Sequence, residues 1–102
     1  MTFGLPPTET ALDAYLEMMA IEGCGLPWFS AVVGGDLYRT PVARRTLERG
    51  GHLRVGLEDH FGDRQPSNLE LVREVVALCQ ECGRPVAGPA EASEVLGIPS
   101  RR

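Results

Sequence analysis

The segment His52-Leu53-Arg54-Val55-Gly56-Leu57-Glu58-Asp59-His60 constrains this chain more than any other. Leu53, Val55 and Leu57 alternate with Arg54, Gly56 and Glu58, which is the period of a strand with one apolar face and one polar face. A helical pattern closed by Gly50-Gly51 precedes it, and another, opened at Ser67, follows. Helix, strand, helix order predicts an α/β fold with a parallel sheet, in which ligands meet the carboxyl ends of strands. Glu58 and Asp59 stand at that end. A charged turn closing a surface strand is the plain reading of the pair. Arg54 argues for more, because a long cation inside a covered strand needs an anionic partner or ligand.

The remaining elements follow from local signals. Thr10 with Asp13 caps a first helix carrying Leu12, Tyr15, Leu16 and Met19, and Gly23 ends it. Leu26 to Val33 is aromatic and β-branched and reads as a strand, with Pro27 near its start. Gly34-Gly35-Asp36 follows, a turn whose backbone N–H groups could face an anion, although the spacing of a dinucleotide fingerprint is missing. Thr40-Pro41 starts a helix with Val42, Ala43 and Leu47 on its apolar face and Arg44, Arg45, Glu48 and Arg49 in solvent. Ser67 and Glu70 form a capping box for a helix running to about Glu81 and stopped by Gly83. Pro89 opens a last short helix that ends at Gly97, and the polar tail 100–102 reads as frayed.

A chain of 102 residues makes one domain at most. Its net charge of −4, with scattered basic residues, gives nothing to track a nucleic-acid backbone. It shows no signal peptide and no apolar run long enough to cross a membrane. Cys79 and Cys82 have the spacing of half a zinc or redox motif but lie on an apolar helix stripe. With Cys24 they read as buried free thiols, suited to a reducing cytoplasm. Two parallel strands also leave two open edges, so the sheet needs copies of this chain, another chain or a longer protein to complete it.

The runs Gly50 to Asp59, Ser67 to Val72, Gly83 to Ala87 and Pro89 to Ala92, with Leu96-Gly97, resemble the carboxyl-terminal segment of the β-keto acid cleavage enzymes, and Pro27-Trp28 to Gly34 resembles that family's preceding strand and turn. The resemblance implies the last part of a (β/α)8 barrel: residues 1–102 as one partial domain, with the seventh and eighth βα units and flanking helices. Family members condense a β-keto acid with acetyl-CoA and release acetoacetate and a new CoA thioester. They hold a divalent metal, usually zinc, by a His-x-His pair and a glutamate. By resemblance Glu58 is that metal ligand, Arg54 and Asp59 are the catalytic arginine and aspartate, and Gly34 and Gly35 line the cofactor turn.

The His-x-His pair has no counterpart here, since the two histidines are His52 and His60. His52 lies about 20 Å along an ideal strand from Glu58, and Arg54 about 13 Å. The expected partners are thus the missing amino-terminal barrel segment or a second copy of the chain, with β-keto acid and acetyl-CoA as ligands of the completed site. The alternative is a noncatalytic α/β module that assembles through its open edges.

Overall fold

The computed structural model describes residues 5–99; the first four residues of the lead-in and the tail 100–102 lie outside the described residues. In chain order the elements are α1 (Glu9–Ile21), β1 (Phe29–Ser30), a single 3-10 turn (Leu37–Arg39), α2 (Pro41–Glu48), β2 (His52–Leu53), α3 (Asn68–Glu81) and α4 (Pro89–Leu96). The expected parallel pairing is present, with Phe29 opposite His52 and Ser30 opposite Leu53. His52 N–H donates to Trp28 O and Arg54 N–H to Ser30 O.

Both strands are shorter than their patterns predict. Pairing resumes only as an isolated bridge between Gly35 and His60. From Ser30 to Gly35 the first segment takes five steps, while from Leu53 to His60 the second takes seven. The two extra residues are absorbed in a turn, where the Gly56 carbonyl accepts from both Asp59 N–H and His60 N–H. Leu57 therefore leaves the apolar face and is exposed, a correction to the alternation read from the sequence. Its N–H is held by the Asn68 side chain at 2.9 Å.

The core lies between the sheet and α2, with Leu12, Leu37, Val42, Ala43, Leu47, Leu78 and Cys79 buried together and Trp28, Val32, Leu53 and Val55 packed on them. Thr46, wholly shielded, belongs to the same face. Gly51 is required there: a Cβ on it would lie 2.5 Å from the Trp28 ring. On the other face of the sheet Phe29 is exposed, and a cavity of about 350 Å³ runs past Phe29, Arg54, Val95 and Leu96.

Helix ends follow local chemistry. Ser67 Oγ accepts from Glu70 N–H, as the capping box requires. Gly23, Gly83 and Gly97 take positive φ just past α1, α3 and α4. The cap of α1 is Thr8, whose hydroxyl accepts from Ala11 N–H, not Thr10, which lies inside the helix. Arg45 and Arg49, expected in solvent, both pair with Asp13 and so tie α2 to α1. No helix among the described residues is long and apolar enough to cross a membrane.

Candidate active site at the end of β2

Because β2 gives way to a turn after Gly56, Arg54 and Asp59 meet although a straight strand would separate them. Arg54 Nε donates to Asp59 Oδ2 at 3.1 Å and its Nη2 lies 3.0 Å from the same oxygen. The guanidinium also stacks over the Phe29 ring, 5.6 Å from its centroid, on the face turned away from α2. Asp59 is mostly shielded, at 16% side-chain exposure. Its Oδ1 has no protein partner among the described residues, and no deeply buried side-chain polar atom there is left unpaired, so Oδ1 is open to solvent. One carboxylate oxygen is thus pinned by Arg54 and the other is unengaged among the described residues.

Glu58 is exposed in the same turn and makes no hydrogen bond or ion pair among the described residues. His60 faces the other way: its Nε2 donates to the Arg64 carbonyl at 3.3 Å, which keeps a proton on that nitrogen. No group of three or more His, Cys, Asp or Glu among the described residues is placed to hold a metal ion. The Gly34-Gly35 turn reaches the site, where the Gly34 N–H donates to Asp59 O at 2.7 Å. A Cβ on Gly35 would meet Val32 at 2.9 Å, so the turn needs glycine for closeness as well as for the positive φ at Gly34.

Arg64 was hidden in a loop that the sequence presents only as polar. Its Nε and Nη2 grip Asp36 at 2.7 and 2.9 Å, and its Nη1 and Nη2 bond Glu74 of α3. These hydrogen bonds raise the already high pKa of Arg64, and those from Arg64 hold the Asp36 carboxyl below its usual value against the opposing effect of burial. A lone arginine 28 residues from one partner and 10 from the other leaves no spacing signal.

The cysteines do not form a site. Cys79 is buried, which raises its thiol pKa; Cys82 is half-buried beside Arg44; and Cys24 is exposed, contrary to the expectation that all three are buried.

Residues 1–98 match the beta-keto acid cleavage enzymes, and the chain belongs to that family. It is 42% identical over 100 residues to the 3-oxoadipate:acetyl-CoA acetyltransferase of Cupriavidus necator, a match covering 94% of this chain and 34% of that protein. It is 52% identical over 62 residues to the 3-keto-5-aminohexanoate cleavage enzyme of Acetoanaerobium sticklandii, covering 57% of this chain and 23% of that protein. The enzyme of the same name from Fusobacterium nucleatum is 40% identical over 78 residues, covering 72% and 28%. The chain therefore spans about a third or less of the length of the curated relatives it matches.

Proposed function

We propose that this chain is the carboxyl-terminal part of a (β/α)8-barrel β-keto acid cleavage enzyme, condensing a β-keto acid with acetyl-CoA to give acetoacetate and a new CoA thioester once the rest of the barrel is supplied. The observation that carries the reading is the Arg54–Asp59 pair just past β2, with Arg54 lining the cavity that α4 borders. That is where ligands meet barrel strands. Asp59 Oδ1 is the proton acceptor. Arg54 holds Asp59 in place, and its Nη1, without a partner among the described residues, is available to a substrate carboxylate.

The donor chemistry fits a divalent metal in one respect: Glu58 offers an unengaged carboxylate, a ligand type that zinc accepts. The other ligands must come from the missing segment, because His60 is turned to Arg64. A bound metal would polarise the substrate carbonyl. The free thiols of Cys24, Cys79 and Cys82 suit a cytoplasmic setting.

The test is to co-produce this chain with the part of the Cupriavidus necator relative that it does not match, then measure metal content and initial rate on the same samples. Glu58→Gln should lose both metal and turnover, Asp59→Asn should keep metal and lose most turnover, and Arg54→Lys should raise KM and slow the reaction. A Glu58→Gln sample with unchanged metal and rate refutes the ligand role.

The exposed Phe29, Val95 and Leu96 favour a second reading, a noncatalytic module that assembles through this face. A stable metal-free oligomer, with no CoA-dependent turnover after barrel completion, would establish it.

A further inference from the structure

We propose that Arg64 is a positioning residue that sets where the Glu58-Asp59 turn sits. The inference rests on the enzyme reading for its catalytic consequence but not for its structural claim. Beyond its own bonds to the Gly56 carbonyl and the Arg54–Asp59 pair, the turn is fastened to its neighbours by three bonds: Gly34 N–H to Asp59 O, Phe61 N–H to Gly35 O, and Leu57 N–H to the Asn68 side chain. Each needs the exit of β1 or the start of α3 to stay beside the turn. Arg64 joins those two elements. One edge of its guanidinium holds Asp36, the residue after Gly35, and the other holds Glu74 on α3. Its carbonyl meanwhile accepts from the His60 ring, closing the loop back onto the turn.

The three side chains are well shielded, with exposures of 9% for Asp36 and 23% for both Arg64 and Glu74. Taking away the cation would leave two carboxylates facing each other with little water, and they would separate. The fork matters as much as the charge, because four hydrogen bonds to two carboxylates require a planar donor array. An ammonium in its place cannot span both.

Hydrogen exchange followed by mass spectrometry on the full 102-residue chain decides the structural claim in whatever assembly state the chain adopts. In Arg64→Lys, peptides covering 31–37 and 57–66 should exchange about tenfold faster, while those covering 26–30 and 50–55 keep wild-type rates. Glu74→Gln, which is the milder change, should move the same peptides less. Equal acceleration in all four regions would mean a general loss of stability, and wild-type exchange in the turn would mean no role; either overturns the proposal.

In the completed enzyme, Arg64→Lys should lower kcat about tenfold or more and lower metal content with it, because the displaced turn carries Glu58 as well as Asp59. Unchanged kcat overturns the positioning role. A wild-type complex without turnover refutes the enzyme reading instead, and the exchange result then still decides whether Arg64 places the turn.

Discussion

The Thr46 hydroxyl donates to Ser30 Oγ at 2.8 Å, a side-chain hydrogen bond that fastens α2 to the underside of β1. Thr46 has no exposed surface, whereas Ser30 is only partly covered, so the two ends of this bond differ in what they lose when it breaks.

Ser30→Ala should cost about 1–3 kcal/mol, because it strands a buried hydroxyl. Thr46→Val removes the buried group and leaves its partner near water, so it should cost only about 1 kcal/mol. The double variant should be more stable than the sum of the single losses implies. Urea unfolding of the four proteins at one concentration measures the coupling; additive losses would show that the hydroxyls do not act on each other.

Gly51→Ala should destabilise the chain by about 1–3 kcal/mol, since the added methyl must displace the Trp28 ring and the core packed behind it. Gly25→Ala, where a Cβ meets nothing within 4 Å, is the control and should unfold near the wild-type midpoint.

Asp36 makes stability depend on acid. Hydrogen bonds from Arg64, followed by the charge of Arg64, lower its folded pKa from 3.8. The unfolded chain then binds the proton more readily than the folded one, so this stabilisation is full well above pH 4 and drains away as pH falls through the lowered value. Melting temperature against pH should drop less steeply below about pH 5 in Asp36→Asn than in wild type. Parallel curves would show that Asp36 is not responsible.

The chain on its own should take up no stoichiometric zinc at submicromolar concentration, because Glu58, His60 and the cysteines point to separate surroundings. Titration of dialysed protein with zinc at neutral pH checks this. Tight binding lost on replacing Cys79 and Cys82 would assign the site to that pair.

Self-association is expected as well. Phe29, Leu57, Phe61, Val95 and Leu96 are all substantially exposed, and the two-stranded sheet ends in two open edges. Sedimentation should show a mass that rises with concentration. A compact monomer throughout the micromolar range would rule this out.

What the sequence revealed was local. Ser67 with Glu70, Pro41 at the first position of α2 and the glycines at 23, 83 and 97 announce helix ends because these signals act within a few residues, although the Thr40 hydroxyl donates to the Leu37 carbonyl and does not cap α2. The parallel pairing was legible from element order, whereas Arg54, read as a charge inside a covered strand, stands just past β2 with about half of its side chain exposed. The turn that brings Arg54 to Asp59 was not legible. Alternation runs on unbroken to Leu57, while the chain is bent there by the Gly56 carbonyl and by Asn68, eleven residues beyond the N–H it accepts. Arg64 was illegible for the same reason, since its partners are chosen by the fold and no periodicity relates them.

Trp28 is the only tryptophan in the chain, and it stands with its ring against Gly51 and its flank on the cavity beside Phe29. Whatever fills that cavity sits beside a single indole whose ring also packs on the core. The protein therefore carries its own optical probe: a change in indole emission on mixing would register the filling of that cavity without any label, and its concentration dependence would give the affinity.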